Sequence, residues 1–199
     1  MTPSQRFVKR LFDLSLSVTG LLFCWPIILM GWIASALSTG ANGFFVQQRV
    51  GMHGKCFPVI KLRTMRKVAG VTTTVTAQND VRITKIGSLL RTLKIDELPQ
   101  LFNVLAGHMS LVGPRPDVPG FADLLEGDDR IVLSIRPGIT GPATLEFRKE
   151  EELLSSVDNP DEYNQNVIWP EKVRLNREYI NNYSLAADVR CLWQTVAGS

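Results

Sequence analysis

The run LSLSVTGLLFCWPIILMGWIASALSTGANGFFVQQ, residues 14–48, carries no Asp, Glu, Lys or Arg, and residues 21–37 within it are mostly apolar. About 20 apolar residues suffice to cross the hydrocarbon core of a bilayer, so the stretch is long enough for a transmembrane helix. Its flanks argue against an ordinary span. Arg6, Lys9 and Arg10 precede it, while Arg49, Lys55, Lys61, Arg63, Arg66 and Lys67 follow it, and basic flanks favour the cytoplasmic side at both ends. Pro26, after Trp25 in mid-run, lacks an amide hydrogen and crowds the carbonyl one turn back, so it kinks or breaks a helix. Two readings fit: a helix broken at Trp25-Pro26 that enters one leaflet and returns, and a kinked span that goes straight through. A cleaved secretory signal, for which Ala34-Ser35-Ala36 offers the small residues, fits less well because the apolar run is too long.

Outside this segment, a chain of 199 residues leaves room for one domain with its own core. The net charge of +3 conceals an asymmetry: residues 1–94 hold 13 Lys/Arg against 2 Asp/Glu, and the remainder holds 9 against 17. A basic half suits nucleic acid, anionic lipid or a phosphorylated substrate. The adjoining apolar run favours membrane and phosphates and excludes nucleic acid. Cys24, Cys56 and Cys191 are odd in number and widely spaced, which argues against a disulfide framework or a zinc site and for buried or lipid-facing thiols in the cytosol.

Beyond residue 43, Phe44 to Val50 and Phe57 to Arg63 are rich in aromatic and β-branched residues and are separated by Gly51-Met52-His53-Gly54, which predicts a β-hairpin. Lys61 and Arg63, two apart, share one face of its second strand, as a phosphate site or a solvated surface. Residues 68–79 have no period and read as a mobile loop. Ile83, Ile86, Leu90 and Leu93 recur at helical spacing. A second helix is expected to begin at Asp96, with Leu98, Leu101, Phe102 and Leu105 as its buried stripe and Gly107 as its stop. Gly113-Pro114-Arg115-Pro116 and Arg136-Pro137-Gly138 are stiff turns. Helices follow over residues 148–157 and from Pro170 to Tyr183, and the stripe Val189, Leu192, Trp193 and Val196 reads as core packing.

Asp96-Glu97 has a plain structural reading, since acidic residues favour a helix start. Its surroundings add a chemical one. A helix start attracts phosphate, and phosphoryl transfer needs charge neutralisation and in-line positioning, for which Lys61, Arg63, Arg91, Lys94, Arg115, Arg136 and Arg148 are available. A carboxylate can attack phosphorus to give an acyl-phosphate, and adjacent carboxylates suit Mg²⁺ together with substrate phosphate oxygens.

Six ordered blocks resemble the signature of the monotopic phosphoglycosyl transferases, which initiate bacterial surface glycans: KRLFD (9–13), FVQQRVG (45–51), KLRTM (61–65), DELPQLFNVL (96–105), SLVGPRP (110–116) and RPGITG (136–141). The resemblance implies an enzyme on the cytoplasmic face of the bacterial inner membrane, in contact with its phospholipids. Its fold class is α+β and mostly helical: a re-entrant membrane helix over residues 1–40 broken near Trp25 and Pro26, a small β-hairpin, and amphipathic interfacial helices in a catalytic domain over residues 41–199. Carried onto this chain, Asp96 attacks the β-phosphorus of a UDP-sugar and expels UMP, Glu97 helps bind Mg²⁺ beside Asp96, and undecaprenyl phosphate then takes the phosphosugar. Lys61, Arg63, Arg91, Arg115, Arg136 and Arg148 bind phosphate or nucleotide; a homodimer is left open. The chain departs from the pattern at Trp25, where a small residue is common, at His108, where an acid is common and no metal role is assigned, and at Thr144-Leu145-Glu146-Phe147 ahead of Arg148. A carboxylate-dependent phosphatase, with water as acceptor, and an inactive membrane-anchored scaffold are the rival readings.

Overall fold

The computed structural model describes residues 1–68 and 80–198, with the side chain of residue 151 left aside; the loop expected at residues 68–79 thus lies outside the described residues except for Val68. Helix α1 spans Pro3–Thr39. It starts on a reciprocal cap in which the Thr2 hydroxyl accepts from the Gln5 amide and the Gln5 side chain accepts from the Thr2 amide, and it ends at Gly40, whose φ of 69° suits glycine. The expected break near Pro26 is absent: α1 is helical through that residue. A proline costs one intrahelical hydrogen bond and bends a helix without having to end it.

That face is unusual in composition. Lys9, Asp13, Ser17, Ile28, Gly31 and Ser35 are buried against the body, whereas Phe7, Leu11, Leu22, Phe23, Trp25, Met30 and Leu37 are exposed on the other side. Small and polar residues let α1 lie close. At Gly31 an added Cβ would come within 2.6 Å of a Leu62 methyl. The helix is therefore inside-out relative to a helix of a water-soluble protein.

Strands β1 (Phe44–Val50) and β2 (Cys56–Leu62) form the predicted antiparallel hairpin, in register from Phe44↔Leu62 to Val50↔Cys56. Helix α2 (Lys85–Thr92), capped by the Thr84 hydroxyl, packs through Gly87 and Leu90, while Ile86, Leu89 and Leu93 face outward. Helix α3 is Gln100–Leu105. Its buried residues are Gln100, Leu101, Asn103 and Val104, and Phe102 of the expected stripe is exposed. The rotation follows from hydrogen bonding: Asn103 accepts from the Ile60 amide at 3.0 Å and donates to the Pro58 carbonyl at 2.6 Å, pairing with β2 as a strand would.

Strands β3 (Ser110–Val112) and β4 (Gly138–Thr140) are parallel neighbours. They bring the two stiff turns together, because the Gly113 amide donates to the Thr140 carbonyl and the Gly138 amide to the Pro114 carbonyl. At Gly138 a Cβ would lie 2.1 Å from the Gly113 nitrogen, so no side chain fits. Short helices α4 (Pro142–Glu146), α5 (Glu150–Ser155) and α6 (Pro160–Tyr163) lead through a π-helical turn into α7 (Trp169–Asn181), and α8 (Leu185–Ala197) closes the chain. The main core joins Phe57, Val59, Leu101, Val104, Met109, Val112, Ile135, Tyr179 and Ile180. Of the expected α8 stripe only Leu192 packs against the core; Val189, Trp193 and Val196 are exposed, and the buried residues are Asp188 and Cys191. Asp188 is anchored by hydrogen bonds to α1 and α7, which turns the apolar stripe outward.

Candidate active site

Between α2 and α3 the chain turns sharply. Lys94 takes the left-handed conformation at φ 56°, Ile95–Glu97 make one 3₁₀ turn, and Pro99 precedes α3. The helix expected to begin at Asp96 thus begins four residues later, because the left-handed Lys94 and the missing amide of Pro99 favour a tight turn first. A left-handed non-glycine residue carries strain. Here it aims Asp96 into the protein.

Asp96 is buried, and its Oδ1 makes no hydrogen bond. Burial first, and the neighbouring Glu97 charge second, raise its carboxyl above the ordinary value, against Lys61, Arg91 and Lys94. Glu97 is the opposite case. Its Oε1 accepts from Lys61 Nζ at 2.9 Å and from Arg115 Nη2 at 2.6 Å. Burial pushes its carboxyl up, but Arg115 and then Lys61 outweigh that and hold it well below the usual carboxylate range. Two adjacent acids are thereby driven apart, one fixed as an anion and the other without a partner at Oδ1. Burial and the Arg115 charge lower the Lys61 ammonium in turn.

Of the six cations expected at phosphate, the structure brings Lys61 and Arg115 together on Glu97, and Arg91 acts on Asp96 through its charge. The other three point elsewhere. Arg63 donates to the Asn42 and Phe44 carbonyls and lies over the Phe45 ring, whereas Lys61 pairs with Glu97. Arg136 donates to the Gly107 carbonyl and Arg148 to that of Gln194.

Two charged residues next to this centre were not among the expected site residues. Asp117 follows the Pro-Arg-Pro turn, and its carbonyl accepts from the Val50 amide at 2.8 Å. Burial pushes its carboxyl up to about 6, against the pull of Lys172, Arg49 and Arg115. Arg49 donates to Gln47 Oε1 and to the Pro116 carbonyl, tying the hairpin to the turn that carries Arg115. Both lie in or beside the blocks at residues 45–51 and 110–116, and that proximity was the signal available.

The blocks at residues 45–51, 61–65, 96–105 and 110–116, scattered in sequence, meet around Asp96-Glu97, and comparison with known proteins places the chain in a family. The family model described as bacterial sugar transferase matches residues 4–198. The chain is a member of the bacterial sugar transferase family. An uncharacterised sugar transferase of Bacillus subtilis, EpsL, is 37% identical over 95% of this chain and 85% of its own length. The exopolysaccharide production protein ExoY of Rhizobium meliloti is 30% identical over 98% of this chain and 86% of its own. The UDP-glucose:undecaprenyl-phosphate glucose-1-phosphate transferase of Escherichia coli is 34% identical over 96% of this chain but only 40% of its own length. This sugar transferase therefore corresponds to nearly the whole of the shorter relatives and to part of the longer one.

Proposed function

We propose that this sugar transferase moves a phosphosugar from a UDP-sugar onto undecaprenyl phosphate, with Asp96 as a covalent nucleophile. The observation that carries the reading is the pairing of a buried Asp96 oxygen that lacks a partner with a Glu97 pinned by Lys61 and Arg115. In the first step an Asp96 carboxylate oxygen bonds to the β-phosphorus of the donor, the bond from that phosphorus to the bridging oxygen breaks, and the electron pair leaves on UMP. In the second, a phosphate oxygen of undecaprenyl phosphate bonds to the same phosphorus and the Asp96 carboxylate departs. Lys61, Arg91 and Arg115 offset the phosphate charge as it shifts. Two relatives support the acceptor through their names, which refer to undecaprenyl-phosphate glucose-1-phosphate and galactose transfer.

The residues present fit Mg²⁺. Among the described residues no group of three or more His, Cys, Asp or Glu side chains could enclose a metal, but Mg²⁺ typically takes one or two carboxylates and draws its other ligands from water and substrate phosphate. Asp96, with its unbonded Oδ1, and Glu97 supply those carboxylates. The ion would add charge neutralisation at the donor phosphates.

The membrane placement follows from α1. A 37-residue helix is about 55 Å long, yet both its ends are bound to one body: Lys9 pairs with Asp188, and Ser38 accepts from Arg66 at 2.9 Å and from Thr84 at 3.3 Å. A helix held at both ends by the same domain does not carry those ends to opposite sides of a bilayer. This supports an α1 that does not cross the bilayer and lays its exposed apolar side in one leaflet, and Ile86, Leu89, Phe102 and Trp193 add to the exposed apolar surface. The domain lies on the cytoplasmic face, where the basic flanks of α1 belong.

The test is UMP release from a panel of UDP-sugars, with and without undecaprenyl phosphate, together with intact-mass analysis of the protein. A stoichiometric burst of UMP and a phosphosugar adduct without acceptor, discharged when acceptor is added, is the expected result. UMP that appears only when both substrates are present, with no adduct trapped, overturns the covalent step in favour of direct attack by the lipid.

A further inference from the structure

Two arginines meet at the end of α3 remote from the reactive carboxylates. Arg10 on α1 donates from Nη1 to the Val104 carbonyl at 2.8 Å and from Nη2 to the Leu105 carbonyl at 3.2 Å. Arg136, from the turn before β4, donates from Nε to the Gly107 carbonyl at 2.8 Å. Gly107 adopts φ 84°, and a Cβ placed there would lie 3.6 Å from Arg10 Nη2, so both guanidinium groups converge on this one residue. Their charges repel each other across it.

Capping alone does not account for the pair. One cation near the C-terminus of a short helix answers its dipole and its last carbonyls, and Arg10 already serves two of them. The second guanidinium adds repulsion, and its two Nη groups make no hydrogen bond with the described residues. The carboxylate nearest to balancing the charge, Asp13, has an oxygen engaged with the Leu111 amide at 3.1 Å. Planar forks with spare donors side by side suit a phosphate. The surroundings are apolar and open: Phe7 and Leu11 flank Arg10 on α1, and Phe102 precedes the helix end by one turn, all three exposed.

We propose that Arg10 and Arg136, converging on Gly107, form a second anion site that takes the phosphate headgroup of a membrane lipid, with the acyl or prenyl chain lying along Phe7, Leu11 and Phe102. The site rests on the reading that these apolar faces lie in the membrane. It is distinct from the centre at Asp96, since α3 separates the two. Both a phospholipid phosphodiester and a prenyl phosphate monoester present this chemistry. The site would hold either beside the enzyme while leaving Lys61 and Arg115 to the donor.

The test is native mass spectrometry of the full chain in neutral maltoside micelles, titrated separately with dioleoylphosphatidylglycerol and farnesyl phosphate. The wild type should retain one lipid, and Arg10→Gln and Arg136→Gln should each weaken retention about tenfold, as expected for losing a charge-assisted contact. Arg136→Lys keeps the charge but offers one ammonium for two tasks, so it should also weaken retention, and it serves if near-UV circular dichroism shows the glutamine variants misfolded. Retention of phosphatidylglycerol alone identifies a structural phospholipid, and of farnesyl phosphate alone the acceptor chemistry; either supports the site. No adduct with either lipid on the wild type, or equal retention by the folded variants, overturns it. Flotation on phosphatidylcholine vesicles tests the apolar faces separately: a chain that fails to float yet forms the adduct loses the membrane placement and keeps the site.

Discussion

Lys9 on the first helix and Asp188 on the last, 179 positions apart, are joined by a 2.7 Å ion pair whose side chains are 7% and 0% exposed. Asp188 also accepts from the Tyr179 hydroxyl at 2.5 Å and the Tyr183 hydroxyl at 3.3 Å, and the Lys9 ammonium lies over the Tyr183 ring. Burial and then the Asp188 charge raise both phenols above their ordinary values, so they act as donors. Beside this network, Asp13 accepts from the Leu111 amide, two residues before the Gly113-Pro114-Arg115 turn. The helix with the exposed apolar side is thus bolted to the strand that leads into the turn carrying Arg115.

Removing one partner of such a pair strands a buried charge. Asp188→Asn should destabilise the protein by about 3–5 kcal/mol, and Lys9→Met combined with Asp188→Asn should recover much of that loss. Urea unfolding in neutral detergent measures both. A loss under about 1 kcal/mol in the single variant would show that the pair is effectively solvated.

Asn103 makes a second such join, between α3 and the edge of β2. Asn103→Ala leaves the Ile60 amide and Pro58 carbonyl without their partner and should cost about 2–3 kcal/mol. Faster hydrogen exchange at the Ile60 amide is the local readout, and unchanged exchange there would mean that water replaces the side chain without penalty.

The parts of this fold that were legible share a cause: local pattern. Aromatic and β-branched runs on either side of a Gly-Met-His-Gly turn marked the hairpin, and a charge-free run marked α1. Periodicity says which residues share a face but not what that face meets. Val189, Trp193 and Val196 of α8 therefore looked like core, when Asp188 held the inward position. Contacts across the chain were illegible for the same reason, and a count of cations could not tell that Arg63 and Arg148 spend themselves on carbonyls. At Pro26 the expectation of a break went too far, since the helix continues through the proline.

Asp117 should leave a signature in stability against pH. Its folded carboxyl, raised by burial to about 6, binds its proton more tightly than in the unfolded chain, where about 3.9 is ordinary. Its contribution is therefore full below about pH 4 and is lost as the pH climbs to about 6. Asp117→Asn cannot ionise, so it should be more stable than the wild type at pH 8, on the order of 2 kcal/mol, with the gap closing below pH 4. Melting temperatures of the two proteins from pH 4 to 8 decide it, and parallel curves would mean that solvent reaches the carboxylate.

Arg115 is exposed enough, at 42% of its side chain, for solvent to screen its pair with Glu97. Its importance should therefore appear in turnover more than in stability. Arg115→Lys keeps the charge but loses the planar fork that can bind two phosphate oxygens at once. Turnover should fall about tenfold or more while the melting temperature stays within a few degrees. An unchanged rate in the folded variant would remove Arg115 from the transition state.

The two neighbouring acids should separate cleanly by mutation because their surroundings have already separated them. Asp96→Asn preserves shape in a site where Oδ1 is buried and unbonded, so the fold should survive; an amide is no nucleophile, so adduct and UMP burst should both vanish. Glu97→Gln acts differently. It removes the anion that Lys61 and Arg115 share, leaving two cations facing each other with a neutral amide between them, and it offers Mg²⁺ a poorer ligand. Turnover should drop and the Mg²⁺ concentration for half-maximal rate should rise, but some adduct should still form, since Asp96 is intact. If Asp96→Asn retained the adduct while Glu97→Gln abolished it, the nucleophile would be Glu97, and the buried Asp96 oxygen would be better explained as a metal ligand.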